Sequence, residues 1–307
     1  MKTIFKKTKL KDKINEWLEY EKNKVKISTY SYYHTVVEKH LINSIGDLHL
    51  IQINENVIDD FINSLINNKM KESTIRQIVV ILKQILKFSN IKISIKTPKI
   101  KKRKITIFSE KDRKKLEKYL CENITGETIG ILLSMHLGLR IGEVCAIQWK
   151  NIDLSNELLF IENTVERIKN FDSNSSKKTQ LVLIAAKTEN SVRTLPLDSK
   201  LIKILKEFKK NQKATDFLLT STDKPADPRN YYYHYKKILK KYGLSNNYHA
   251  LRHTFATECI DLGLNPKALS EMLGHSDIET TLKLYVHPSI RKTREFGNEA
   301  KIQFIND

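Results

Sequence analysis

The chain has 307 residues, 40% of them hydrophobic and 29% charged, which fits a globular protein with a sizeable core and room for two domains. Its 54 Lys and Arg residues against 35 Asp and Glu give a formal net charge of +19, which favours a polyanionic partner, most commonly nucleic acid. Cys121, Cys145 and Cys259 are odd in number and widely spaced, which argues against a disulfide framework or a cysteine–zinc cluster.

Two further observations bear on the compartment and the partner. The N-terminal MKTIFKKTKLKDK lacks the apolar core of a secretory signal, and the longest apolar stretch, IGILLSMHLGL, is too short to cross a membrane. We therefore expect a cytoplasmic, nucleoid-associated protein without a membrane partner. Residues 1–104 hold 22 basic and 10 acidic side chains, so the positive charge is concentrated there. The alternative to a DNA-binding face is a solvated surface whose lysine content is high because the genome is AT-rich.

Residues 8–90 are expected to be entirely helical. LKDKINEWLEYEKNK repeats apolar residues with a helical period, and Ser28 is a candidate N-cap for a second helix that stops at Gly46. NENVIDDFINSLINN and ESTIRQIVVILKQILKFS continue the same period. The pattern predicts a bundle of about four helices.

The next segment, KISIKTPKIKKRK at residues 92–104, has seven basic residues out of 13, and Pro98 prevents a helix. It is expected to be an extended linker between two domains. The linker is either a disordered charged tether or a strap that follows DNA. Lys99, Lys101, Lys102, Arg103 and Lys104 are the candidate DNA contacts.

A second domain is predicted from about residue 107, mostly helical with one small antiparallel sheet. Ser109 and Asp112 have the spacing of a capping box, and TIGILLSMHLGL and RIGEVCAIQW follow as a buried helix and a short helix. The period then changes to two in LLFIENTVERI, TQLVLIAA and RTLPL, which predicts three strands. The remaining predicted helices are 198–210, 229–242, 249–262, 265–273 and 278–285.

Three stretches of this domain carry side chains suited to work on an anion. GLRIGEV places Arg140 at the start of a helix, where a guanidinium suits an anion site. HALRH places His249 and Arg252 on one helical face. KTENSVRTLPL places Lys187 between two predicted strands, within reach of a neighbouring site. Singly, each has an ordinary structural explanation: a surface ion pair, a core histidine and a solvated lysine.

Two other patterns are less informative. His249 and His253 form H-x-x-x-H, but Ala250 stands where a zinc protease would carry its glutamate, so we predict no metal site. Tyr231, Tyr232 and Tyr233 form a run that we expect to lie partly in the core and partly on the surface.

Together with His275 and Tyr285 in LGHSDIETTLKLYVH, these stretches occur in a characteristic order. The order and the local sequence of these stretches resemble those of the tyrosine recombinase (phage integrase) family, which includes integrases of mobile elements and Xer-type recombinases. The resemblance covers about residues 107–290 of the catalytic half. It implies a helical core-binding (SAM-like) DNA-binding domain at 1–91, a basic linker at 92–106 and a catalytic domain with a C-terminal tail at 107–307.

The resemblance also implies a role for each matched residue. Tyr285 would attack a backbone phosphate and form a 3′-phosphotyrosyl link, without a metal or another cofactor. Arg140 and Arg252 would neutralise the transition state with support from His275. His249 would accept the tyrosine proton, Lys187 would protonate the leaving 5′-oxygen, and Glu143 would orient the cluster.

The function expected from the resemblance is site-specific strand exchange by a homotetramer on double-stranded DNA. The C-terminal tail, with Ile302, Phe304 and Ile305, would pack on a neighbouring protomer, and accessory DNA-bending or excision factors are possible partners. Integration or excision of a mobile element is favoured by a long predicted hairpin before Lys187. Resolution of chromosome or plasmid dimers is favoured by the lack of room for an arm-binding domain before residue 10. A type IB topoisomerase and a non-catalytic DNA-binding protein are the remaining alternatives.

Overall fold

The computed structural model describes residues 7–98, 105–172, 174–185, 192–275 and 277–285. The fold is mostly helical with small antiparallel sheets, which confirms the predicted fold class. It divides into two compact units. The first contains the described residues up to 98 together with 168–180, and the second contains the rest of the described chain.

The first unit is the predicted four-helix bundle. Its helices are α1 (Leu10–Glu21), α2 (Ile27–Val36), α3 (Glu55–Asn67) and α4 (Glu72–Phe88). After α2 the chain continues through a π-helical stretch, Val37–Ile42, and one further turn, Asn43–Ile45, before Gly46. The cap predicted at Ser28 is wrong, because α2 already begins at Ile27 after Lys26.

Apolar side chains at helical spacing build the core of this unit. Ile78, Leu82 and Ile85 of α4 are fully buried against Ile14 of α1 and Ile58 of α3. Burial of such side chains stabilises a helix far more than propensity does, at about 2 kcal/mol each.

Residues 92–98, the first half of the predicted linker, lie against this bundle. Ile95 is buried in its core, and the Ser94 amide donates to a carboxylate oxygen of Glu55 at 3.2 Å. The Lys83 ammonium donates to the Thr97 hydroxyl at 2.7 Å. These residues form neither a helix nor a strand, and this part of the segment is packed rather than a free tether. Residues 99–104, with all five candidate DNA contacts, lie outside the described residues.

Residues 168–180, far away in sequence, also belong to the first unit. The Phe171 ring contacts the rings of Tyr30 and His34 at centroid distances of 5.1 and 5.0 Å. The Lys169 amide donates to the Ser31 hydroxyl at 2.7 Å, and the Lys169 ammonium pairs with Glu38. The first unit therefore includes a segment that is inserted, in sequence, within the second unit.

The helices of the second unit follow the predicted order. They are α5 (Glu110–Glu122), α6 (Gly126–Leu137), α7 (Ile141–Ala146), α8 (Ser199–Phe208), α9 (Pro228–Lys240), α10 (His249–Asp261), α11 (Pro266–Leu273) and α12 (Ile278–Tyr285). Ser109 caps α5 as predicted, accepting the amide of Asp112 at 3.1 Å. Nearly every residue of α6 is buried, so this helix lies at the centre of the unit.

The strands form two small sheets rather than the single sheet that was predicted. Strands β1 (Ile152–Asp153), β2 (Leu158–Ile161) and β5 (Arg193–Pro196) pair antiparallel in the order β1–β2–β5, with Leu159 opposite Leu195. Strands β3 (Asn163–Lys169) and β4 (Thr179–Ala185) pair separately as a long hairpin.

The single strand predicted over LLFIENTVERI was wrong at its centre. The chain leaves β2 at Glu162, whose carboxylate accepts the side-chain amide of Asn151 at 2.9 Å, and starts β3 in the other sheet. Within the described part of the chain, no helix is long and apolar enough to cross a membrane.

Candidate active site

The site begins at the turn between α6 and α7. Arg140 occupies the N-cap position of α7, where its amide donates to one oxygen of Glu143 at 2.8 Å and its guanidinium donates to the other at 2.7 Å. Glu143 is 6% exposed. A carboxylate in the first turn satisfies an amide that the helix leaves unpaired, and here it also orients the arginine.

Two glycines explain why the stretch GLRIGEV takes this shape. Gly138 ends α6 in the left-handed region at φ +65°, and a Cβ there would lie 2.6 Å from Phe255 and 2.8 Å from Leu273. A Cβ on Gly142 would lie 2.4 Å from the hydroxyl of Thr164 in β3. Glycine therefore permits both the sharp turn and the close packing of α7 on its neighbours.

Helix α10 supplies the second group of side chains. Arg252 is completely buried, and one guanidinium nitrogen donates to the carbonyl oxygen of Gly138 at 2.9 Å. His249 and His253 lie one turn apart on the same helix, with ring centroids separated by 4.5 Å at a nearly perpendicular angle. The i, i+3 and i, i+4 spacings bring all three side chains to one end of the helix.

The C-terminal end of α11 gathers three arginines. Gly274 ends the helix in the left-handed conformation, and the amides of Gly274 and His275 donate back to Glu271 and Ser270, as in a Schellman cap.

The carbonyl oxygens at this helix end accept hydrogen bonds from Arg193 at 2.6 Å, Arg252 at 2.8 Å and Arg140 at 3.0 Å; they belong to Met272, Leu273 and Gly274 respectively. The negative end of the helix dipole thus attracts three guanidinium groups to one place.

Tyr285, the last residue of α12, is 6% exposed and faces the same cluster. Its hydroxyl lies 2.7 Å from Nδ1 of His253. Its ring is parallel to that of His275 at a centroid distance of 6.5 Å. The His275 ring is also fixed by Thr281, whose hydroxyl lies 2.8 Å from Nδ1. The middle of α12 and its final residue are therefore both held by histidines.

Burial and the arginines control the protonation of these groups. Burial, followed by the neighbouring His253 and Arg252, lowers the pKa of His249 to about 4. Burial, with Arg252 and Arg140, lowers the pKa of His275 to about 3. Both imidazoles are accordingly neutral near pH 7. Burial opposes ionisation of Glu143, but hydrogen bonds and charge from Arg193 and then Arg140 lower its pKa to about 2, so it is ionised.

The described cluster is therefore strongly cationic. It holds the guanidinium groups of Arg140, Arg193 and Arg252 but the carboxylate of Glu143 alone, and its neutral histidines add no charge. The Nε atom of Arg252 is buried and has no hydrogen-bond partner within the described residues. Such an arrangement favours the binding of an anion with several acceptor oxygens.

The structure brings together most of the residues that were singled out from the sequence, namely Arg140, Glu143, His249, Arg252, His275 and Tyr285. Lys187 lies outside the described residues. The roles assigned to these residues stay predictions. The hydroxyl of Tyr285 bonds to His253 and shares no hydrogen bond with His249 across the described part of the chain.

Two residues of the site were missed. Arg193, whose side chain is 6% exposed, donates to both oxygens of Glu143 at 3.1 and 2.9 Å. It has the same parity in the chain as the buried Leu195 and Leu197, which places all three on the inward face, and that position was the available signal for it. His253 was considered only as a metal ligand, although its spacing from His249 places both on one helical face.

The remaining predictions for this region concern metals and the tyrosine run. Among the described residues, no cluster of His, Cys, Asp or Glu could hold a metal ion. Tyr231 is buried and Tyr233 is 59% exposed, which confirms that the run is divided between core and surface.

Comparison with known families agrees with this geometry. The sequence profile of the Phage integrase family matches residues 103–291, and the profile of the phage integrase N-terminal SAM-like domain matches residues 9–66. The chain belongs to the phage integrase family. The match to the family covers more than half of the chain and includes all six residues that were assigned a catalytic role.

This phage integrase family member is similar to proteins of more than one kind. It is 32% identical over 201 residues to a tyrosine recombinase XerC-like protein of Caldanaerobacter subterraneus subsp. tengcongensis, covering 60% of this chain and 50% of that protein. It is 26% identical over 324 residues to the integrase of Staphylococcus phage L54a, covering 92% and 89% respectively. The alignment with the XerC-like relative thus spans half of that protein's length.

A solved structure shows the same fold. The Tn1549 transposon integrase, in complex with transposon right-end DNA, superposes with a TM-score of 0.75 over 95% of this chain and 99% of that one, at 19% identity.

Proposed function

We propose that this protein is a site-specific DNA recombinase that cleaves and rejoins DNA through a covalent link between Tyr285 and a 3′-phosphate. The observation that carries this proposal is the position of Tyr285. Its hydroxyl lies in a buried cluster of arginines and neutral histidines, at the end of a helix held to that cluster through His275 and Thr281.

A DNA phosphate fits the charge of this cluster. Its non-bridging oxygens would accept hydrogen bonds from Arg140, which is 37% exposed at its side chain, and from the unpaired Nε of Arg252. As the phosphorus becomes five-coordinate, negative charge grows on these oxygens, and donors fixed beforehand stabilise that charge most. The carbonyl contacts at the end of α11 hold both guanidinium groups in place before DNA arrives.

The proposed reaction has two proton transfers. The Tyr285 oxygen bonds to phosphorus and releases its proton to a neutral histidine of the cluster, while the bond from phosphorus to the 5′-oxygen breaks. Lys187 would protonate that leaving oxygen, and His275 would support the phosphate. Because the new ester conserves the energy of the old one, rejoining is the reverse of these steps and requires no nucleotide cofactor.

The first unit and the basic segment at 92–106 are proposed to bind the same duplex. The match of residues 9–66 to a phage integrase SAM-like domain and the concentration of positive charge before residue 105 support this. Strand exchange needs two duplexes and four protomers, so we propose a homotetramer in synapsis, with the C-terminal tail binding a neighbour. Accessory DNA-bending or excision factors would take part in the cytoplasm, on nucleoid DNA.

The biological role that we favour is integration and excision of a mobile element. The alignment with a phage integrase over 92% of this chain and 89% of that protein, and the long β3–β4 hairpin, support it. Resolution of chromosome or plasmid dimers is the second candidate, supported by the 32% identity to a XerC-like recombinase.

The test of the proposed chemistry is covalent capture of DNA. The probe is a pool of duplexes with a randomised core and a nick, so that cleavage next to the nick releases a short fragment and traps the adduct. Wild-type protein is expected to give an adduct that survives denaturation and to enrich a defined sequence after several rounds. Tyr285→Phe removes one oxygen and is expected to bind the enriched duplex normally but to form no adduct.

A second tyrosine provides the matched control. Tyr233→Phe alters an exposed ring outside the cluster and should leave adduct formation unchanged. An adduct with Tyr285→Phe, or none with wild type on any member of the pool, would refute the proposal. Relaxation of supercoiled plasmid without a partner site would instead indicate a topoisomerase.

A further inference from the structure

The hydroxyl of the proposed nucleophile is held by a residue that has no role in the scheme above. Nδ1 of His253 lies 2.7 Å from the Tyr285 oxygen, which is the distance of a strong hydrogen bond. The two residues are 32 positions apart in the chain and meet because α12 packs against the end of α10. A group in contact with the reacting oxygen is a candidate for the proton transfer that accompanies attack.

The neighbouring His249 has a different environment. Its charged neighbours are Arg252, Arg140 and Glu143, the residues that would surround the phosphate. Among the described residues, Arg252 is the charged group that influences His253, and His253 faces the tyrosine. The perpendicular packing of the two imidazoles therefore separates a phosphate side, at His249, from a nucleophile side, at His253.

The protonation states suit a transfer from tyrosine to histidine. Burial lowers the pKa of His253, so the imidazole is neutral near pH 7. Burial raises the pKa of Tyr285, although Arg252 and Arg140 oppose this, so the phenol keeps its proton until it reacts. In the tautomer with the imidazole proton on Nε2, Nδ1 accepts the hydrogen bond of the phenol O–H.

We propose that His253, rather than His249, is the catalytic residue that takes the proton from Tyr285 when DNA is cleaved. This rests on the function proposed above. As the phenol oxygen bonds to phosphorus, its O–H bond breaks and the proton moves to Nδ1 of His253. The bond from phosphorus to the 5′-oxygen breaks at the same time, and the 5′-oxygen keeps that electron pair and takes a proton from Lys187. In the reverse step the same imidazolium returns the proton to the departing tyrosine. His249 is left to contact the phosphate together with the arginines.

Asparagine substitutions separate the two histidines. The amide oxygen of Asn occupies nearly the position of Nδ1, so His253→Asn keeps a hydrogen-bond acceptor for Tyr285 but no base. With the nicked duplex enriched by wild type, we expect the single-turnover cleavage rate of His253→Asn to fall by about 10²–10³-fold, as for loss of a general base. Its affinity for the uncleaved duplex should stay within about threefold of wild type. His249→Asn is the matched variant one helical turn away.

Two further measurements distinguish proton transfer from mere positioning. In His253→Ala, added imidazole should restore cleavage, and substituted imidazoles should restore it in proportion to their basicity. A duplex whose bridging 5′-oxygen is replaced by sulfur has a leaving group that needs no proton. This substrate should rescue Lys187→Met, whereas His253→Asn should stay slow because its defect lies at the nucleophile.

Failure of this inference and failure of the proposed function give different results. If wild type forms no adduct with any duplex, the function itself is wrong. If wild type cleaves, Tyr285→Phe does not and His253→Asn cleaves at the wild-type rate, only the role of His253 is wrong. Rescue of His249→Ala by imidazole, with none for His253→Ala, would assign the proton transfer to His249.

Discussion

Arg193 holds Glu143 through both carboxylate oxygens, and both side chains are less than a tenth exposed. Glu143 in turn holds the amide and guanidinium of Arg140, so Arg193 acts on that arginine through one shared carboxylate. Arg193 also donates to Met272 at the end of α11. It thereby ties β5, α7 and α11 together beneath the cluster.

Arg193→Met should therefore destabilise the second unit and impair its cluster. Removing Arg193 leaves the buried Glu143 with Arg140 as its remaining charged partner among the described residues. Breaking a buried pair costs about 3 kcal/mol in the free energy of unfolding. Urea denaturation followed by circular dichroism measures this, with Arg76→Met, at an exposed position of α4, as the control. Equal midpoints for the two variants would contradict the expectation.

The stability of this pair also depends on pH. Interaction with Arg193 keeps the pKa of Glu143 at about 2 in the folded protein, below its ordinary value of 4.5. The unfolded state consequently binds the proton first, and the stability contributed by the pair is present above pH 4.5 and lost as the pH falls toward 2. The difference in unfolding free energy between wild type and Arg193→Met should narrow over that range. A constant difference would show that the pair is not ionised.

Gly138→Ala and Gly243→Ala form a matched pair of substitutions. Both glycines have positive φ, +65° and +69°. A Cβ at Gly138 meets Phe255 and Leu273 below 3 Å, whereas a Cβ at Gly243 meets no atom of the described residues within 4 Å. We expect Gly243→Ala to lower the free energy of unfolding by about 1 kcal/mol, because alanine is strained in the left-handed conformation. Gly138→Ala should lower the free energy of unfolding by roughly 1–3 kcal/mol more, because its Cβ overpacks the core. It should also displace the Gly138 carbonyl, which accepts a hydrogen bond from Arg252. Equal losses in denaturant melts would refute this difference.

The segment at 168–180 can be tested by hydrogen exchange. The Lys169 amide donates to the buried hydroxyl of Ser31, so Ser31→Ala removes its acceptor. Without this hydrogen bond the free energy of local opening should fall by about 1 kcal/mol, which speeds exchange of that amide by about fivefold. Phe171→Ala should also speed the exchange, because it removes the contact with Tyr30 and His34. Ser64→Ala, whose hydroxyl bonds within its own helix, is the control. Unchanged exchange in both variants would mean that the segment does not dock.

The basic segment after residue 98 should respond to salt. If its side chains bind phosphates, replacing Lys101, Lys102, Arg103 and Lys104 with Gln should reduce the log–log salt slope of DNA binding by about 0.9 for each phosphate that is no longer neutralised. The control carries the same change in charge at exposed positions in and after α8: Lys203, Lys206, Lys210 and Lys213. Equal slopes for the quadruple variant and wild type would show that the segment does not touch DNA.

The C-terminal tail is expected to act in assembly. Truncation after Asn298 removes Ile302, Phe304 and Ile305, three apolar side chains near the terminus. Single-site DNA binding should persist, while cooperative filling of a two-site duplex and recombination should be lost. A gel-shift titration beside a recombination assay measures both. Wild-type cooperativity and normal recombination in the truncated protein would exclude this role.

Much of the site could be predicted from the sequence, because its parts are built by short-range rules. The turn at Gly138, the first helical turn from Arg140 to Glu143 and the spacing of His249 and Arg252 each depend on residues within four positions of one another. The amphipathic periods of the first bundle are equally local. Such features are present in the order of side chains before any packing occurs.

Only the tertiary structure decided which of these parts meet. The contact of His253 with Tyr285 and that of Arg193 with Glu143 join residues 32 and 50 positions apart. The docking of Phe171 on Tyr30 and His34 spans a still longer interval. Periodicity states which face of an element is apolar, but not which partner covers it or which polar side chain is buried with it. Those choices follow from the packing of α10, α11, α12 and β5 around one helix end, where three arginines donate to three successive carbonyls and two of them share one carboxylate.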